Sequence, residues 1–92
     1  MIHVNYRLRA IKDARSAVQR AANLGAAMIG NDAKAEAGAL LLDLSSQVGH
    51  EIAGLLGQEP PKGREAKKAW TAATERLEDL TAALTHKIQE VI

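Results

Sequence analysis

The stretch KGREAKKAWTAATERLEDLTAALTHKIQEV, residues 62–91, decides the fold. Within it Ala66, Trp70, Ala73, Leu77, Leu80, Leu84, Ile88 and Val91 recur at intervals of three and four. That spacing keeps one apolar stripe on one side of an α-helix, with charged residues on the other. Immediately upstream stands Gly57-Gln58-Glu59-Pro60-Pro61-Lys62-Gly63. Tandem prolines cannot lie inside a helix, and Gly57 falls where a helix C-cap is expected, so this segment is a connection.

Moving toward the N-terminus, a second break occurs at Gly30-Asn31-Asp32. Gly30 suits a left-handed C-cap, and Asn31 or Asp32 suits the cap of the next helix. The two breaks predict helices over roughly 5–29, 32–57 and 62–91, each about 37–45 Å long at 1.5 Å per residue. Helix 1 repeats the seam with slimmer residues: Val4, Leu8, Ile11, Ala14, Val18, Ala21, Gly25 and Met28. Ahead of Tyr6, the alternation of Ile2 and Val4 reads as a short extended arm. Helix 2 has its main stripe at Ala37, Leu41, Leu44, Val48, Ile52 and Leu55. Leu40 flanks that stripe on one side; Leu42 and Leu56 flank it on the other, with Gly38, Ser45 and Gly49.

The apolar arc of helix 2 therefore exceeds half the circumference, too wide for a helix with one neighbour. Two readings follow. Helix 2 is the middle helix and touches both others, or Gly38, Leu42 and Gly49 face a second copy of the chain. The expected architecture is all-α: an Ala-rich, antiparallel, up-down-up three-helix bundle forming one domain over residues 1–92, with homo-oligomerisation predicted through that strip.

Composition narrows the function classes. Of 92 residues, 18 are Ala and only 24 are large and apolar, so the core is built from small contributions. Cysteine is absent, which excludes disulfides, thiolate metal sites and cysteine nucleophiles. Tyr6 and Trp70 are the only aromatic residues, too few for a stacking platform on single-stranded nucleic acid. Leu40 to Leu56, the most hydrophobic stretch, holds Asp43, Gln47, His50 and Glu51, which argues against a membrane span. Arg7 and Arg9 interrupt any N-terminal apolar run that a secretory signal needs. A cytoplasmic protein without a membrane partner is the resulting expectation.

Charge is unevenly placed although the net is only +1. Helix 1 carries Arg7, Arg9, Lys12, Arg15 and Arg20 against Asp13, whereas helix 2 with its flanks carries Asp32, Glu36, Asp43, Glu51 and Glu59 against Lys34. Opposite signs favour pairing of these two helices in one register. Helix 3 opens with Lys62, Arg64, Lys67 and Lys68 against Glu65. Cations at a helix N-terminus cost a few tenths of a kcal/mol each unless an anion or acidic surface offsets them. In an up-down-up bundle Arg7 and Arg9 lie at the same end, so Arg7, Arg9, Lys62, Arg64, Lys67 and Lys68 form a candidate anion-binding patch. The bland alternative is a solvated face neutralised by Glu59 or Glu51. The Gly57 and Gly63 spacing lacks the Lys-Ser/Thr of a phosphate loop, and the helices are too long for a helix-turn-helix reader.

Nothing in the chain assembles chemistry. His3, His50 and His86 belong to no metal-ligand spacing, and no Glu-x-x-His pair exists for a dimetal site. His50-Glu51 lies on the outward side of helix 2, as does Asp43, and Ser45-Ser46 has no nucleophile-elbow context. Trp70 is expected in the core against Ile52, Leu55 and the Val4 or Leu8 end of helix 1; its alternative role is a half-exposed binding anchor.

No motif ties the chain to a family. Short Ala-rich helical proteins occur among phage-encoded inhibitors, plasmid-regulatory proteins and secretion adaptors, an association carried by size alone. The sequence therefore predicts a non-enzymatic, cofactor-free protein that acts on another protein as adaptor or inhibitor. Gly38, Leu42 and Gly49 would serve self-association, and Arg64, Lys67 and Lys68 an acidic partner. The alternative is nucleotide, nucleic-acid or other anion binding at the basic patch.

Overall fold

The computed structural model describes the backbone of residues 2–92 and the side chains from residue 5 onward. Three helices follow one another: α1 (Ile2–Ile29), α2 (Ala35–Leu56) and α3 (Arg64–Val91). They pack pairwise into an all-α three-helix bundle, an elongated rod of 52 × 19 × 16 Å. Arg7 reaches Trp70 and Thr74, while Ala10 and Asp13 share a depression with Glu78, Thr81 and Ala82, so α1 and α3 run parallel. Leu8 and Ile11 share a cleft with Leu55 and Leu56, while Gly25 meets Gly38, so α2 runs antiparallel to α1.

The core of α1 is slimmer than its seam predicts. Ala10, Ala14, Ala17 and Ala21 are buried with Ile11 and Met28, whereas Leu8 is exposed and Val18 only half-buried. The predicted seam holds at Ile11, Ala14, Ala21, Gly25 and Met28, while Arg7 takes the place of Leu8 and Ala17 that of Val18. Packing explains the shift: α1 has the most extensive contacts with both neighbours, and Ala lets two helices approach it at once. Helix 2 touches both others as expected, yet α1 is the helix most enclosed. Val4, placed on the seam and against Trp70 by the sequence, lies outside the described side chains.

In α3, Trp70, Leu77, Leu84 and Ile88 are buried, Ala73, Leu80 and Val91 half-buried, and Ala66 exposed. Thr74, absent from the expected seam, is fully buried and returns its hydroxyl to Trp70 O at 3.0 Å. In α2 the buried line is Gly38, Leu41, Ser45, Val48, Ile52 and Leu55, with Ala37 and Leu44 at its margin. Ser45 satisfies its hydroxyl on Leu41 O at 2.8 Å.

The helix ends differ from expectation. α1 begins at Ile2, so the segment before Tyr6 continues the helix instead of forming an extended arm. α2 starts at Ala35, three residues later than predicted, because Asn31 is used in a turn: Asn31 Oδ1 accepts from Ala33 N at 3.0 Å and Asn31 O from Lys34 N at 2.8 Å. Gly30 and Gly57 do not take the left-handed conformation; among the described residues only Gly63 has a positive φ, 87°, at the N-cap of α3. There glycine is required, since the backbone reaches α3 through a region that side chains rarely enter.

Candidate functional site

The unusual group in this bundle is Arg7. Its side chain runs from α1 between α3 and the α2–α3 connection, and only 3% of the residue is exposed. Nε donates to Thr74 Oγ1 at 3.1 Å, Nη1 to Gln58 Oε1 at 2.8 Å and Nη2 to Trp70 O at 2.7 Å. The guanidinium carbon lies 3.3 Å from the centroid of the Trp70 ring. Each of these acceptors is neutral. Among the described residues no carboxylate pairs with Arg7; the ion pairs there join Glu90 to His86 and Lys87.

Burial lowers the Arg7 pKa from its ordinary value, but a guanidinium starts so high that it stays charged. Taking it out of water costs several kcal/mol. A desolvated cation–π contact returns about 2 kcal/mol, and hydrogen bonds from a charged donor about 1.5–3 kcal/mol each. These terms hold the cation in place without neutralising it. Three of its five N–H donors are used, leaving two. A further donor, the buried indole N–H of Trp70, has no acceptor among the described residues.

Arg7 and Trp70 border a cleft of about 150 Å³ together with Leu8, Ile11, Leu55, Leu56, Gln58 and Pro60. Leu8 and Leu56 form its rim and are 57% and 52% exposed. Gln58 belongs to the exposed connection after α2 and closes over Arg7 from outside.

Arg7 therefore leaves the expected anion-binding patch: its fork is turned inward onto α3, where Thr74 and the Trp70 carbonyl satisfy it. Arg9, two residues on, projects about 200° around α1 from Arg7 and is exposed. Lys62 is exposed in the connection. Arg64, Lys67 and Lys68 are exposed on the outer face of α3, where they line a shallow depression of about 570 Å³ with Gly63, Thr71, Ala72 and Glu75. No side chain caps the start of α3.

The strip expected to face a second copy divides. A Cβ on Gly38 would lie 2.8 Å from Gly25 O and 2.9 Å from Met28 Cβ, so Gly38 is buried within the chain, at the closest approach of α1 and α2. Leu42 is half-buried and leans on Gly25, whose Cβ would lie 3.0 Å from Leu42 Cγ. Gly49 alone has open space over it. The correction for Gly38 is steric: two facing glycines let the helix backbones meet, and that contact consumes the surface.

His50 is exposed beside Glu51, in a shallow groove with Ser46, Gln47, Arg76 and Leu80. Among the described residues no three His, Asp or Glu side chains converge as metal ligands. No helix there is long and apolar enough to cross a membrane.

Sequence reasoning missed Gln58 and Thr74 and misplaced Arg7. One signal was present: Arg7, Ala14, Ala21 and Met28 are seven residues apart, so Arg7 occupies a core register. Comparisons with protein-family models, curated proteins and solved structures find no match for this chain.

Proposed function

We propose that this protein is a non-enzymatic interaction module, an adaptor or inhibitor that docks on another protein in the cytoplasm. The observation that supports this reading is the Arg7–Trp70 cleft with its exposed Leu8 and Leu56 rim. Trp and Arg are the residue types on which binding energy concentrates, and here they sit at the base of a cleft with apolar edges. Both rim leucines are more than half exposed and add little to the core, so they can be altered without loss of the fold.

The test is capture of partners from the native cell by immobilised wild-type protein and by the Leu8→Glu/Leu56→Glu variant, with helix content checked by circular dichroism. Loss of a discrete partner from a folded variant supports the reading. Identical capture by both proteins overturns it. Self-association, reduced to Leu42 and Gly49 on the α2 face, is checked by sedimentation; a monomer across micromolar concentrations removes it.

A second reading concerns Arg64, Lys67 and Lys68, which have no ion pair among the described residues and share one depression. They offer a site for a nucleotide, nucleic acid or other anion, or for an acidic partner. Nucleic-acid binding there would weaken steeply between low and physiological salt, and Arg64→Glu/Lys68→Glu would abolish it.

A further inference from the structure

The geometry points to the Arg7–Trp70 cleft as the receptor for a carboxylate side chain that a partner polypeptide presents beside an aliphatic residue. This inference rests on the reading of the cleft as an interaction surface and specifies what that surface accepts. Three observations converge. Arg7 is a buried cation held only by neutral acceptors, with two N–H donors left over. The buried Trp70 indole N–H in the same cluster lacks an acceptor. The rest of the cleft lining is apolar apart from Gln58: Leu8, Ile11, Leu55, Leu56 and Pro60.

Charge complementarity selects the occupant. The cleft carries a cation and no anion, so an anionic group gains from entering where a neutral one does not. At about 150 Å³ the cleft is smaller than a small-molecule pocket of roughly 300–1,000 Å³, which suits one slender side chain. A phosphate would fill the space with charge and leave the apolar walls against polar oxygens. A carboxylate on a short methylene stem places its methylenes along those walls.

Gln58 is the placeholder. Its amide oxygen sits on Arg7 Nη1 at 2.8 Å, where a carboxylate oxygen would sit, and its side chain is exposed, so it can swing out while the backbone N–H stays on Leu55 O. The Arg7–Gln58 bond already has a charged donor; a carboxylate keeps that bond and adds the attraction of opposite charges at a partly desolvated site, so it displaces the amide. The aliphatic neighbour of the acid then covers Leu8 and Leu56.

Trp70 is the sole tryptophan and stacks on the responding cation, so its fluorescence reports occupancy directly. The probes are N-acetyl-Leu-Glu-Leu-amide, the same peptide with Gln for Glu, and 4-methylpentanoate as a free acid. The expected result is saturable binding of the Glu peptide, at least about tenfold tighter than the Gln peptide, because only the carboxylate adds ion-pair attraction to the guanidinium. Gln58→Ala, a change in an exposed loop, should tighten the Glu peptide about threefold or more by removing its competitor. Arg7→Met should erase the preference for Glu over Gln.

Equal binding of the two peptides, or no binding of either, overturns the proposal. So does Gln58→Ala weakening the Glu peptide, since Gln58 would then build the site and not occupy it. If 4-methylpentanoate binds as tightly as the Glu peptide, the assignment to a polypeptide falls. Failure here leaves the Leu8/Leu56 capture result standing, and failure of that capture leaves the peptide titration readable.

Discussion

The guanidinium carbon of Arg7 lies over the indole of Trp70, 3.3 Å from the ring centroid, inside the bundle and without a carboxylate partner among the described residues. The pair links α1 to α3, and Gln58 adds the α2–α3 connection. Arg7→Lys keeps the charge and loses the planar fork, leaving Thr74 and Gln58 without their donors. It should destabilise more than Arg7→Met, which removes the desolvation cost along with the bonds. Urea unfolding should place Arg7→Lys about 2–4 kcal/mol below wild type, the scale of a buried charge that loses its partners. An Arg7→Lys midpoint above that of Arg7→Met would contradict this account.

Thr74 is tested separately. Its hydroxyl donates to Trp70 O and accepts from Arg7 Nε, so Thr74→Val leaves a buried charged donor unpaired at nearly unchanged volume. The expected loss is about 1–3 kcal/mol, and Thr74→Ser should recover most of it.

The glycines sort by what surrounds them. A Cβ at Gly25 or Gly38 would lie 2.9 or 2.8 Å from the facing backbone oxygen, and backbone cannot yield as a side chain can. Gly25→Ala and Gly38→Ala should each cost about 1–3 kcal/mol or more by forcing α1 and α2 apart. Gly49 and Gly54 lie within α2 with open space above them. Gly49→Ala and Gly54→Ala should each stabilise by about 0.5–1 kcal/mol, raising the thermal midpoint by several degrees. A Gly38→Ala protein melting at or above wild type would disprove the close α1–α2 contact.

The alanine core has its own signature. Ala14, Ala17 and Ala21 are fully buried, so Ala17→Leu should lower stability by about 1–3 kcal/mol although it adds hydrophobicity. Leu77→Ala, at an equally enclosed position on α3, should cost about 2–5 kcal/mol through the cavity it leaves. Denaturant midpoints for both variants check the pair.

Tyr6 supplies a pH-dependent term. Its hydroxyl donates to Glu78, and that hydrogen bond, with local desolvation and the charges of Glu78, Glu75 and Asp79, raises its pKa from 10.0 to about 12. A pKa raised in the folded state means that the folded protein holds the proton more tightly. The contribution to stability is therefore complete below pH 10 and is lost as the pH climbs toward about 12. Phenolate absorbance of this single tyrosine should titrate near that value and move down in Glu78→Gln. A titration that ignores Glu78→Gln would show the bond to be irrelevant.

Periodicity and punctuation in the chain are enough to determine three helices and their order, because the three- and four-residue spacing and the Pro60-Pro61 break are local properties. The three-helix packing follows from helix number and connection length. Which residues line the core is partly legible: Leu41, Val48, Ile52, Leu77, Leu84 and Ile88 lie where the spacing puts them. The rest depended on the distance between helices. Only tertiary structure could bring Gly25 opposite Gly38, turn Ala17 inward in place of Val18, and choose Arg7 over Leu8 for the interior. A guanidinium is expected outside unless acceptors meet it; Thr74, the Trp70 carbonyl and Gln58 stand 51 to 67 residues away along the chain. Helix propensity and hydrophobic spacing act over a few residues, whereas satisfying a buried cation is a property of the assembled bundle.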